Sequence, residues 1–134
     1  MIAQLLLLLA LAGPKTAQCS VCHTLYARGE ILTEARFETV FWSAVQRSGT
    51  TISRSGMRDA RSICKRESGF QINCRDPRSS AYGLWGFLNS TWRDQHRKRT
   101  DCPVCQTRAF LDYCRERYGS IQGALSFHRR HGFY

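Results

Sequence analysis

Residues 57–70 read MRDARSICKRESGF, and the place of one acid in that stretch decides how the chain folds around it. Met57, Ala60, Ile63 and Cys64 recur at the spacing of one helix face, while Arg58, Ser62, Lys65 and Arg66 fall opposite. At about 100° per residue, Glu67 lands between Ile63 and Cys64, inside the apolar stripe. Ser68-Gly69 then stops the helix, because glycine takes the left-handed conformation that closes helices without strain. The spacing predicts a helix from about Met57 to Glu67.

Such a carboxyl loses part of its hydration, which disfavours the charged form and raises its pKa. A carboxyl that stays protonated near neutral pH is what a glycosidase needs to protonate a leaving oxygen. A glutamate paired with a neighbouring arginine at a helix end accounts for the same pattern equally well.

Outward from this helix the chain reads as further helices. Phe37, Val40, Phe41, Ala44 and Val45 follow helical spacing, with Thr33 to cap the start and Gly49 past the end. A polar linker runs from Ser48 to Gly56. Gln71 to Ala81 is rich in Asn, Asp, Pro and Ser and reads as a loop. Asn89 or Ser90 opens a short helix through Trp92. Thr107 is read as the cap of another, with Phe110, Tyr113 and Cys114 inward and Gly119 at its end. Ser120 caps a last one, with Ile121, Ala124 and Leu125 inward. No segment alternates as a strand, so the expected class is mainly α.

Downstream of Glu67-Ser68-Gly69-Phe70 come Ala81-Tyr82, then Gly83-Leu84-Trp85-Gly86-Phe87, then Ser90-Thr91-Trp92, and later Ala124-Leu125-Ser126-Phe127-His128. From Met57 to Tyr134 this text resembles the soluble lytic transglycosylase domain, related in fold to goose-type lysozyme. That family carries Glu-Ser-x-Phe at a helix end, Gly-Leu-Met-Gln after a loop, and Ala-Leu-x-x-Tyr-Asn near the C-terminus. The resemblance implies a lysozyme-like helical domain that cleaves the β-1,4 bond between N-acetylmuramic acid and N-acetylglucosamine. It implies Glu67 as the catalytic acid and base, Ser68 beside the reacting sugar, and Gly83 and Leu84 at the turn that shapes the cleft. It also implies that one carboxyl suffices, the muramic acid 6-hydroxyl being the nucleophile and a 1,6-anhydro sugar the product.

Two positions depart from the family. Gly86 stands where Gln is usual. Phe127 is read at the position of the usual Tyr, leaving His128 either to supply a polar group there or, the reading slightly preferred, to lie on the surface at a helix end. Asp76 is the nearest downstream carboxylate and the candidate second acid of a lysozyme-type hydrolase, which needs one ~6.5–9.5 Å away to activate water. A turn-forming aspartate before Pro77 is the simpler reading. Tyr82, Trp85 and Trp92 offer rings to stack on sugars, although ordinary core is the preferred reading of aromatics at such spacing.

The remaining text sets the context. One domain is expected in 134 residues. Ile2 to Ala12 is leucine-rich but shorter than the roughly 20 residues of a membrane span. Residues 1–17 therefore read as a signal peptide or apolar anchor able to contact a membrane, and 18–134 as the domain. Ala10-Leu11-Ala12 suits cleavage, although no Lys or Arg precedes the leucines. Secretion or a periplasmic place is expected, or alternatively a place in a phage virion.

Seven cysteines, with an export-like head, read as disulfides with the odd one free or paired between chains. The connectivity stays open, and Cys64 with Cys74, which bracket Glu67, is the pairing that position suggests. A formal charge of +10 suits an anionic cell wall and its glycan strands, nucleic acid being the lesser candidate. Cys19, Cys22 and His23 match the haem-attachment spacing, and Cys19, Cys22, Cys102 and Cys105 offer zinc ligands, but neither reading explains Glu67. No cofactor or metal is expected.

Overall fold

The computed structural model describes residues 26–27 and 29–134. The apolar head and Cys19, Cys22 and His23 lie outside the described residues. Among the described residues five helices follow one another: α1 (Glu34–Ser48), α2 (Arg54–Ser68), α3 (Asn89–Asp94), α4 (Pro103–Tyr118) and α5 (Ile121–His131). The protein is mainly helical, and the described residues outside helices form only isolated bridges.

The helix ends follow the side-chain chemistry at their caps. Thr33, Ser53 and Ser120 each accept a backbone N–H of the first turn through their hydroxyls, and α1, α2, α4 and α5 end on left-handed glycines. Two expectations shift here. α2 begins at Arg54 rather than near Met57, because Ser53 caps it by accepting from Gly56 N–H at 3.1 Å. Thr107 is no cap but lies inside α4, which starts at Pro103 behind Cys102. Its buried hydroxyl donates to Pro103 O at 2.8 Å and accepts from the Trp85 indole N–H at 3.1 Å.

α1 packs on α4, and α2 and α4 both pack on α5. Phe37 and Phe41 of α1, Ile63 and Cys64 of α2, Phe110 of α4 and Ala124 of α5 meet in one core. Removing each large apolar side chain from water contributes about 1.5–3 kcal/mol. Leu84 and Trp85, from the loop between α2 and α3, fill its centre. The Trp85 ring lies flat on Phe110, centroids 3.6 Å apart. Among the described residues no helix is long and apolar enough to cross a membrane.

The Cys64–Cys74 pairing that position suggests is absent, and no disulfide joins two described cysteines. Cys64 faces the core from α2, its sulfur 3.8 Å from Ser68 Oγ, and burial pushes its thiol pKa up to about 12. Cys74 sits half-buried in the following loop. Cys114 is likewise a buried thiol, its pKa raised by desolvation.

Candidate active site

Glu67 occupies the last turn of α2, with its side chain 20% exposed. The chain leaves α2 through two left-handed residues, Gly69 (φ 57°) and Phe70 (φ 67°). A bulky residue strains in that region, and the Phe70 ring packs edge-on against Phe37 in compensation. The turn is then pinned to the segment before α1: Leu32 N–H donates to Phe70 O, and Ile72 N–H to Glu30 O.

A tight turn from Tyr82 to Phe87 is laid against this helix end, with each residue's N–H donating to the other's carbonyl. Buried polar groups hold it there. Ser68 Oγ donates to Leu84 O at 2.8 Å. Gln106, almost fully buried in α4, accepts from Leu84 N–H at 2.8 Å and donates to Ile72 O and Thr100 O. Tyr134 O–H donates to Trp85 O at 2.8 Å. Two glycines let the turn approach so closely. A Cβ on Gly83 would come within 2.8 Å of the Gln106 side chain, and one on Gly86 would overlap Glu67 Oε2.

His128 on α5 meets Glu67 from the other side, Nε2 to Oε1 at 2.6 Å. The preferred expectation of a surface histidine is corrected: His128 is 6% exposed, because α5 packs on α2 and turns this residue inward. Its Nδ1 is buried without a hydrogen-bonding partner. Phe127, expected beside Glu67, lies about 100° around the helix from His128. There its ring packs on His131, Tyr118 and Phe133. Burial raises the Glu67 pKa, and the hydrogen bond and charge of His128 offset only part of that rise.

Glu67 opens onto a cleft of about 700 Å³. Gly86, Phe87 and Leu88 form one wall, and Tyr113, Phe133 and Tyr134 lie among its other lining residues. Asp76, Asp94, Glu116 and Arg117 also border it. The Asp76 carboxylate accepts from Arg78 N–H at 2.9 Å and Ser79 Oγ at 3.3 Å, as a turn-forming aspartate does. The Arg78 N–H holds its pKa below the usual carboxylate value.

The structure thus brings together Glu67, Ser68, Gly83, Gly86 and His128. It places other expected substrate contacts elsewhere. Leu84 and Trp85 are wholly within the core, so their side chains support the turn from behind. The Tyr82 hydroxyl is spent on Asp101, away from Glu67. Trp92 is buried against Phe87. Sequence reading overlooked Gln106 and Tyr134, because a polar residue's burial is set by partners far along the chain. It also passed over Asp94, Glu116 and Arg117, which look like ordinary surface charges.

Among the described residues no three His, Cys, Asp or Glu side chains are grouped to hold a metal ion. No family model, curated protein or solved structure matches this chain.

Proposed function

We propose that this protein is a peptidoglycan lytic transglycosylase that cleaves between N-acetylmuramic acid and N-acetylglucosamine, built on a lysozyme-like domain. The observation that carries the reading is Glu67: a partly desolvated carboxyl with a raised pKa, opening on a cleft and hydrogen-bonded to His128. The resemblance of its surrounding motifs to the transglycosylase family supplies the substrate. In the Ala-Leu-x-x-Tyr spacing of that family, counted from Ala124, the tyrosine position falls on His128.

The mechanism follows from the two carboxyl oxygens. In the tautomer that carries its proton on Nε2, His128 donates Nε2–H to Oε1, so that Oε2, beside Gly86, carries the exchangeable proton towards the cleft. Glu67 gives that proton to the glycosidic oxygen as the bond to the muramic acid anomeric carbon breaks. The resulting carboxylate, held by Nε2–H, then takes the proton of the 6-hydroxyl as that oxygen closes onto the anomeric carbon. Acid and base are one group, so no second carboxylate is required. Asp76, tied to its own turn and with a lowered pKa, is a weak base for water, which favours the anhydro product over hydrolysis.

Such an enzyme acts on walls outside the cytoplasm, or travels in a virion to reach them. The net charge of +10 draws it to that anionic surface. Digestion of purified peptidoglycan, with mass spectrometry of the fragments, tests the reading. Anhydro ends that vanish in Glu67→Gln are expected. Reducing ends in their place would make it a hydrolase, and intact glycan with the parent protein would overturn the function.

A further inference from the structure

A second hollow, of about 390 Å³, adjoins the cleft and shares Asp76 and Ala81 with its wall. Arg75, Arg99 and Tyr82 line it, together with Ser79 and Ser80. The guanidinium groups of Arg75 and Arg99 lie over the Tyr82 ring, 5.1 and 4.4 Å from its centre. Cation–π contact of this kind fixes a guanidinium by its face, and leaves its N–H edges to bind an acceptor.

The nearby acids make their hydrogen bonds elsewhere than to these two guanidinium groups. Asp101 takes the Tyr82 hydroxyl, and Asp76 is engaged by Arg78 N–H and Ser79. No described carboxylate forms an ion pair with Arg75 or Arg99, in contrast to Arg36, Arg61, Arg78, Arg97 and Arg115. Ser80 accepts from Asn89 N–H at 3.0 Å, which leaves its own O–H to donate. Two forked cations are therefore placed beside the cleft, neither in an ion pair with a described carboxylate.

We propose that Arg75 and Arg99, held by Tyr82, form an oxyanion subsite that grips an acidic group of the polymer lying in the Glu67 cleft. The inference rests on the proposed function for its substrate. The fork fits a carboxylate or a phosphate oxygen pair. On a glycan strand the nearest source is a peptide-stem carboxylate, and in an intact wall a phosphate polymer is the other. Binding here sets which strands are taken up, while the bond is broken at Glu67.

The test compares parent protein with the double variant Arg75→Gln, Arg99→Gln on three polymers. These are walls bearing both peptide stems and phosphate polymer, the same walls stripped of stems by an amidase, and the same walls freed of phosphate polymer. On the walls bearing both, KM should rise roughly ten- to a hundredfold, as expected for lost charged hydrogen bonds, with kcat nearly unchanged. On the stem-free walls the two proteins should match. A difference that disappears on phosphate-free walls instead assigns the same subsite to phosphate. An equal change on all three polymers, or none, overturns the subsite. Sedimentation of each polymer with the same substitutions in a Glu67→Gln background reads binding without turnover. It decides the subsite even if the parent cleaves nothing, a result that would fall on the proposed function alone.

Discussion

Gly86 lies so close to Glu67 that a methyl group on it would overlap Oε2. Its φ of 62° is also one that L side chains rarely adopt. Gly86→Ala therefore meets two penalties, backbone strain of about 1–2 kcal/mol and displacement of the carboxyl. Rate should fall by a larger factor than this modest loss of stability suggests, because a catalytic group moved by about 1 Å loses on the order of a hundredfold. Turnover on peptidoglycan beside a thermal melt separates the two. Unchanged turnover would mean that Oε2 does not face the reacting bond.

The raised pKa of Glu67 makes a signed prediction about pH. Protonation favours the folded state, so the stabilising contribution is complete below the unfolded carboxyl pKa. It is lost as pH rises through the higher folded value. Glu67→Gln removes this dependence, so the variant should gain on the parent in urea midpoint as pH climbs through that window. The alkaline limb of the parent's rate profile should sit above the ordinary carboxylate range, since the acid form starts the reaction. Midpoints that track each other at all pH values would refute the raised pKa. Asp76 has the opposite sign: its lowered pKa contributes above the unfolded value and is lost as the solution becomes acidic.

Gln106 satisfies one backbone N–H and two backbone carbonyls around the 82–87 turn. Gln106→Leu fits an apolar site by volume but strands those groups, at about 1–3 kcal/mol for each one left buried and unpaired. A loss on the order of 3 kcal/mol is expected in denaturant unfolding. A change below about 0.5 kcal/mol, the range of ordinary surface substitutions, would show that the turn is held by its apolar packing alone.

The helix from Thr33 to Gly49 was legible in the sequence because a cap, an apolar period and a terminal glycine agreed, and Ser120 with its apolar period marked the start of α5. The start of α4 was misplaced because Thr107 looks like a cap, while Cys102 capping through sulfur ahead of Pro103 gives a weaker signal. Glu67 was legible because its helical angle alone put it among apolar residues. His128 was not, since its burial depends on α5 lying against α2, sixty-one residues back. The glycines show the same limit. That Gly83 and Gly86 admit Gln106 and Glu67 is fixed by distances between elements, which no local spacing encodes.

The thiols make a prediction free of any assumption about substrate. Cys64, Cys74 and Cys114 form no disulfide, so each should be alkylated in denatured, unreduced protein. In native protein Cys74 should react first, because it is half-buried, whereas Cys64 and Cys114 are buried with raised pKa values and hold little thiolate. Peptide mapping after timed alkylation reads the order. Recovery of a Cys64–Cys74 disulfide peptide would contradict the arrangement.

His128 is the position at which structure and chemistry can be separated most sharply. Its Nε2 touches Glu67 Oε1, its ring is buried, and its Nδ1 has no hydrogen-bonding partner. His128→Phe keeps a ring in the core and removes only the polar contact. Glu67 Oε1 is then left partly buried and unpaired, which should cost about 1–3 kcal/mol when the carboxylate is charged. The hydrogen bond and charge of His128 lower the Glu67 pKa against the rise from burial, so removing them should raise it further. The alkaline limb of the rate profile should therefore move to higher pH. The maximal rate should fall, because a more weakly held carboxylate is a poorer product of the first proton transfer. KM should change little, since His128 does not line the cleft. His128→Gln, which can still donate one N–H, should recover part of the rate and move the limb back. A variant that melts lower but keeps both the parent's rate and its pH limb would reduce His128 to packing.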